Sequence, residues 1–284
     1  MIRSLPTSRS YRWSFNLFII LYFVFLFAPL VVTCVLAFND SNFPGLPWHG
    51  FSLDWFVSPG PTRVGFFHDD QNLRAMWTSF QTAILVALFS LVVGTCAAFL
   101  FEQEDFPLKG PLYFLMLAPL VIPGVILGIS ILLAANTAGR VTEDLLGWDL
   151  GILRPSFWLV VLGQFSFIST FVALVVSARL KKFDRSLEEA ALNLGANRFQ
   201  VIWHITLKFL RPAIIGSAAV AFLMSFENFN TTLFLVGSEP TLPVNLYLQV
   251  RDGSTPVINA ISLCLILGTS ILALVNLYFS KKEA

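Results

Sequence analysis

Charge is what this chain has least of. Asp, Glu, Lys and Arg make up 12% of its 284 residues, where a soluble globular domain carries roughly 25%. That shortage excludes an ordinary water-soluble fold. Cysteine is also scarce: Cys34, Cys96 and Cys264 all fall inside apolar runs, with no CxxC or Cys/His cluster beside them. Neither a disulfide framework nor a metal site is therefore expected. The three histidines, His49, His68 and His204, are far apart in loops and read as solvated side chains. No GxxxxGK[ST] run is present, so nucleotide chemistry has to come from another chain.

What the chain has instead is apolar length: 56% of its residues are hydrophobic and its mean hydropathy is +0.75. A bilayer core about 30 Å thick takes roughly 20 mostly apolar residues to cross as a helix. Six segments reach that length, near 15–38, 79–101, 112–135, 157–178, 213–236 and 257–279. Their hydrophobicity is continuous and does not alternate, which predicts helices rather than barrel strands. The expected fold is an all-α integral membrane protein with six transmembrane helices, forming a single permease-like domain over 1–284. The first span is too long for a signal-peptide core and lacks a small-residue cleavage site, so it is expected to be retained.

Orientation follows from the excess of Lys and Arg on the cytoplasmic side. With both termini cytoplasmic, Arg63, Arg74, Arg140, Arg154 and Arg251 fall outside, and the other thirteen of the 18 basic residues fall inside. The outer segment after the first span carries Pro44, Gly45, Pro47, Pro59 and Gly60 with Trp48, Trp55 and Trp77 interspersed. It reads either as an interfacial anchor or as a contact for an outside protein. No inverted repeat of the kind found in two-halved secondary transporters is evident, nor a pair of broken helices.

One cytoplasmic stretch, 179–212, is far more polar than its neighbours. Ser186 and Glu189 have capping-box spacing, so a helix is expected to begin there. Leu187, Ala190, Ala191 and Leu194 recur at i, i+3, i+4 and i+7, and Gly195 is placed to end the helix. A second helical pattern runs from Asn197 through Phe199, Ile202, Trp203, Thr206 and Leu210, with Pro212 expected to close the loop and start the next span. Asp184, Glu188 and Glu189 put negative charge on this knob, which suits docking to a soluble protein better than lying on lipid headgroups.

Glu189-Ala190-Ala191, then Gly195 after three residues, then Ile205-Thr206-Leu207 after nine more, resembles the EAA motif of bacterial binding-protein-dependent ABC importer permeases. Lys208 stands where that motif has proline. The stretches Phe38-Asn39-Asp40-Ser41, Trp48-His49-Gly50-Phe51-Ser52, Leu242-Pro243-Val244 with Tyr247, and Thr255-Pro256-Val257-Ile258-Asn259-Ala260 are similar to spermidine/putrescine permeases, and to their second permease subunit in particular. The resemblance implies a coupling loop in which Glu189, Ala190, Ala191, Gly195, Ile205 and Leu207 meet an ATPase. It implies a heterodimer with a second permease, two ATPase subunits that bind ATP and Mg, and a periplasmic solute-binding protein. It also implies a bacterial inner membrane location and no cofactor in this chain.

An ionisable residue inside a span is costly, on the order of 2.5–3.5 kcal/mol by insertion scales, and usually faces a cavity or a partner. Glu227, in Ser225-Phe226-Glu227-Asn228, is the residue that qualifies, expected about midway along the fifth span. It reads either as a structural carboxylate bonded to a neighbouring helix or as part of a translocation path. Ser225, Asn228 and Trp55 are taken with it as candidate path residues. A polyamine, spermidine or putrescine, is the expected solute, with another small cation as competitor because Asn228 and Pro123-Gly124 replace carboxylates the resemblance implies. A stand-alone secondary transporter or channel for a small amine or amino acid is the alternative.

Overall fold

The computed structural model describes residues 9–60, 63–253 and 255–282; of the expected cytoplasmic charges, Arg3 lies outside them. Among these residues the regular structure is helical, and the only bridges are two isolated pairs, Asn39 with Phe51 and Pro59 with Val64. In chain order the helices are α1 (Arg9–Leu36), α2 (Asp54–Val57), α3 (Asp70–Gln103), α4 (Lys109–Val121), α5 (Gly124–Leu146), α6 (Phe157–Leu180), α7 (Ser186–Asn193), α8 (Arg198–Val201), α9 (Leu207–Phe226), α10 (Thr232–Leu235), α11 (Leu242–Gly253) and α12 (Val257–Lys282). A π-helical turn, Ile202–Thr206, joins α8 to α9 without interruption.

Among the described residues, five helical stretches are long and apolar enough to cross a bilayer: α1, α3, α5, α6 and the run Arg198–Phe226. Two of the six expected spans are broken. The third, 112–135, divides into α4 and α5 at Ile122-Pro123. Proline has no N–H and pushes the residue before it to an extended conformation, and Ile122 has ψ 129°. The fifth, 213–236, leaves the helix after Phe226 and resumes for one turn at α10. Pro212 does not start a span, because it sits inside α9 and the helix runs through it. The sixth expected span falls on α12, whose stretch Val257–Ile271 is a shorter apolar helix.

Contacts divide the described chain into two compact units. The first holds the described residues of 1–70 and 249–272, and its outer loop is organised by Asn39, which is 2% exposed. The Asn39 Nδ2 donates to the carbonyls of Gly45 and Pro47, both at 3.1 Å, its Oδ1 accepts from the His49 N–H at 2.8 Å, and its own carbonyl accepts from Trp55 Nε1 at 3.0 Å. Asn259 of α12 adds a bond to the Pro44 carbonyl. Arg63 binds Asp40 and the Asn42 Oδ1 and lies 5.5 Å above the Trp55 ring. The hydrogen bond to Asp40 raises the Arg63 pKa further, so this cation is permanent.

The second unit, the described residues of 71–248 with 273–284, contains the helical core. Its centre is α6, whose Ile168, Val172 and Val176 are fully buried among Val86, Leu210 and Ala221. Gly94 of α3 is there because the helices meet closely: a Cβ at that position would lie 2.7 Å from the Ser169 carbonyl and 2.8 Å from the Val172 side chain. Polar side chains stitch the other neighbours, with Thr170 Oγ1 donating to the Met116 carbonyl of α4. Asn245 Nδ2 of α11 donates to Asn72 Oδ1 of α3. In an apolar span such bonds matter because no water competes for the groups.

Candidate functional site

Two places in the second unit combine polar chemistry with exposed surface. The first is the turn between α6 and α9. Helix α7 begins at Ser186, but the expected Ser186/Glu189 capping box is absent: the Asp184 carboxylate accepts from the Ser186 N–H at 3.0 Å instead. In the expected box the Ser186 N–H would have gone to the Glu189 carboxylate, and Asp184, two positions before Ser186, has captured that donor. The bonds from Ser186 hold the Asp184 carboxyl below its ordinary pKa. The capping is therefore present above the usual carboxylate pKa of about 3.9 and is lost as pH falls through the lowered value.

The end of α7 is as the glycine foretold. Gly195 has φ +90°, its N–H donates to the Leu192 carbonyl, and the Ala196 N–H reaches back to the Ala191 carbonyl. Those two bonds define a Schellman closure, which needs a residue at ease with positive φ. The capping box that does exist is Asn197 with Gln200, starting α8. Glu188 is the carboxylate that closes the hairpin: Thr206 Oγ1, in the π turn, donates to it at 2.5 Å. Glu189 is exposed, as are Ala190, Gly195 and Leu194, the last at 88%. Ile205 and Leu207 are half-buried at the base, and Lys208 simply continues the helix.

This hairpin is tied to the spans below it. Arg185 Nη2 donates to the Glu102 carbonyl at the end of α3, and Lys181 Nζ lies 3.4 Å from the Glu102 carboxylate. Arg179 stacks 4.2 Å over the Phe209 ring, joining the end of α6 to the start of α9. The residues leading into α7 are thus bonded to the end of α3, and the end of α6 to the start of α9.

The second place is where the two broken spans meet. A Cβ on Gly124, at the start of α5, would lie 3.0 Å from the Asn230 Cβ, and one on Gly128 would lie 2.7 Å from the Thr231 carbonyl. The α4–α5 break therefore packs against the α9–α10 break. Glu227 is not within a helix, as expected from its sequence position, but is the exposed residue that follows the last turn of α9. A helix C-terminus carries about half a negative charge from its unpaired carbonyls. The carboxylate adds to a field that favours a cation. Phe229, in the same segment, packs on Tyr247 of α11 at 4.9 Å between ring centres.

The remaining path candidates are placed differently. Ser225 is buried, and its hydroxyl donates to the Gln164 Oε1. Asn228 is half-buried, its Oδ1 accepting from the Thr232 hydroxyl at 2.9 Å and from the Thr232 N–H at 3.3 Å. It caps α10, and both bonds fall on its side-chain oxygen. Trp55 belongs to the first unit, where it is 5% exposed and held by Asn39 and Arg63. Its packing there accounts for it. Gln164, which carries no charge to mark it in the sequence, is fully buried and bonds across the break. The available signal was a lone amide in an otherwise apolar span.

A pair of broken helices was the feature expected to mark a stand-alone carrier, and the structure has one. It does not discriminate between the two readings, but ancestry does. Residues 90–283 match the family described as binding-protein-dependent transport system inner membrane component. The chain is 32% identical to the putrescine transport system permease protein PotI of Escherichia coli (strain K12) over 99% of this chain and 95% of that one. It is 27% identical to the spermidine/putrescine transport system permease protein PotC of the same strain, over 92% and 91%. A chain of a bacterial ABC transporter involved in the import of the acidic polysaccharide alginate shares the fold, with TM-score 0.73 and 19% identity over 95% of this chain and 93% of that one.

Proposed function

This chain belongs to the binding-protein-dependent transport system inner membrane component family, and from that membership we propose that it carries a polyamine past Glu227. It is a permease subunit of an ABC importer, a multi-pass protein of the inner membrane, and not an enzyme. The observation that carries the substrate reading is the exposed carboxylate of Glu227 at the C-terminal end of α9, in the segment whose Asn230 and Thr231 pack against the start of α5. Irregular backbone at membrane depth survives only where it is buried in protein or lines a water-filled cavity. Unwound segments and helix C-termini are where carriers coordinate cations. The names of the relatives, putrescine and spermidine permeases, agree with a diamine or triamine.

The full assembly on this reading has a second permease, two ATPase subunits and a periplasmic binding protein. The membrane topology is six spans, with α4 and α5 sharing the third. The stretch 179–212 is the EAA coupling loop, with Glu189, Ala190, Ala191 and Gly195 presented to the ATPase and Ile205 and Leu207 at the base of its hairpin. ATP-driven closure of the ATPases moves α7, and the ties from Arg185, Lys181 and Glu188 pass that motion to α3 and α9. The paired breaks then open toward one side or the other.

Reconstitution of the whole importer with its binding protein tests the substrate. ATP-driven accumulation of radiolabelled putrescine or spermidine is the expected result. Failure to accumulate either amine, in vesicles whose ATP hydrolysis responds to another loaded binding protein, would replace the polyamine reading. Orientation is tested separately, with Cys34, Cys96 and Cys264 first replaced and a cysteine placed at Asn197, which is exposed at the tip of the hairpin. A membrane-impermeant thiol reagent is expected to label it in inside-out vesicles and not in intact cells. Labelling in intact cells would reverse the topology.

A further inference from the structure

We propose that Gln164 is a positioning residue that clamps the α9–α10 break and so sets how Glu227 is presented to a passing cation. The proposal rests on the reading of Glu227 as a path residue. Gln164 is fully buried in α6, the eighth residue from Phe157, so it sits about 10 Å along the helix from its first residue at 1.5 Å per residue. A primary amide offers a donor and an acceptor on one planar group, and both are used. The Oε1 accepts from the hydroxyl of Ser225, in the last turn of α9, and the Nε2 donates to the Oγ1 of Thr232, the first residue of α10, at 2.8 Å. Thr232 in turn donates to Asn228. One side chain on a packed helix thus holds the two ends between which Glu227, Asn228 and Asn230 are strung.

The donor sense of the chain has a consequence for the solute. Hydrogens run in one direction, from Ser225 to Gln164 to Thr232 to Asn228, and the last acceptor, Asn228 Oδ1, is consumed inside the protein. Reversing any member breaks the run. The negative group left to meet a cation in the segment is the Glu227 carboxylate, so its position depends on the spacing that Gln164 holds between Ser225 and Thr232. Glutamate at 164 would keep the acceptor and lose the donor. Leucine would fill the same volume and lose both, and asparagine would keep the chemistry but fall one methylene short.

The test uses the reconstituted complex with the three native cysteines replaced and a reporter cysteine at Asn230, which is exposed in the break. Gln164→Leu is expected to change the rate at which a water-soluble methanethiosulfonate modifies position 230 by roughly fivefold or more, because two buried bonds across the segment are gone. The same reagent at a cysteine placed at Asn197 should react at the parental rate. In putrescine uptake, Gln164→Leu should raise KM by about tenfold, and the double variant with Glu227→Gln should be no worse than Glu227→Gln alone. Parental reactivity at 230, or losses that multiply in the double variant, would overturn the proposal. If Gln164→Leu does not assemble, Ser225→Ala and Thr232→Val each remove one of the two bonds and are read by the same reactivity. Normal transport by Glu227→Gln with altered reactivity at 230 would keep the clamp and remove the path reading.

Discussion

Glu227→Gln is expected to lower ATP-driven diamine uptake by about 10- to 100-fold while the variant still co-purifies with its ATPases. The substitution keeps the shape and removes the charge, so it separates electrostatics from packing. A carboxylate and an ammonium 4 Å apart attract by about 1 kcal/mol in bulk water and about 4 kcal/mol at an effective dielectric near 20. Glu227 is exposed on the chain's own surface, which places it between those limits, and each 1.4 kcal/mol is a factor of ten. No side-chain hydrogen bond of Ser225, Gln164, Thr232 or Asn228 runs through the Glu227 carboxylate, and the Glu227 N–H that bonds back into α9 is kept in the variant, so the segment should keep its course. Uptake at the parental rate would make the carboxylate structural and leave the cationic substrate without its main physical support. Asn228→Asp is the complementary change. An aspartate still accepts from the Thr232 hydroxyl and N–H, so the cap survives and a second charge is added, and transport should be retained or rise for the more highly charged amine.

Gly195→Asp is expected to abolish uptake, with the loss seen first in the stimulation of ATP hydrolysis by the loaded binding protein. A Cβ at 195 would meet nothing within 4 Å, so crowding is not the reason. The cost lies in the backbone, since φ +90° is a conformation that L side chains seldom adopt, at about 1–2 kcal/mol. Relaxing it breaks the bonds from Gly195 and Ala196 that turn α7 toward α8. The new charge then sits at the tip of an exposed knob that already carries Glu189. Gly195→Ala carries the strain without the charge and should show a smaller loss. Insertion into the membrane, read by labelling at position 197, should be unaffected in both. Unchanged stimulation in Gly195→Asp would mean that the hairpin does not transmit motion from the ATPases.

The helical, membrane-spanning character was legible because it depends on a sum. Continuous apolarity over twenty residues survives any error in a single position, and α1, α3 and α6 lie where the apolar runs predicted them. The breaks were less legible because hydropathy does not register a missing N–H. Pro123 lies in a run that stays apolar across it, yet it divides α4 from α5. Gly195 could be assigned from its neighbours alone, since a helix end is settled by four or five local residues. The start of α7 could not, because the Asp184 and Glu189 carboxylates are both within sequence reach of the Ser186 N–H and the geometry chooses the first.

Composition, apolar length and the spacing of Glu189, Ala190, Ala191 and Gly195 were sufficient by themselves to make this an all-helical inner membrane protein resembling importer permeases. They also singled out Glu227 as the acidic residue to explain. Tertiary structure alone decided that the fifth span breaks at that residue and that the break lies against Gly124 and Gly128. It alone moved Trp55 to a separate unit and joined Gln164 to Ser225 and Thr232, partners more than sixty positions away in the chain. The physical reason is the same in each case: a buried polar group must find its partner wherever the fold brings one, and that partner leaves no trace in local spacing.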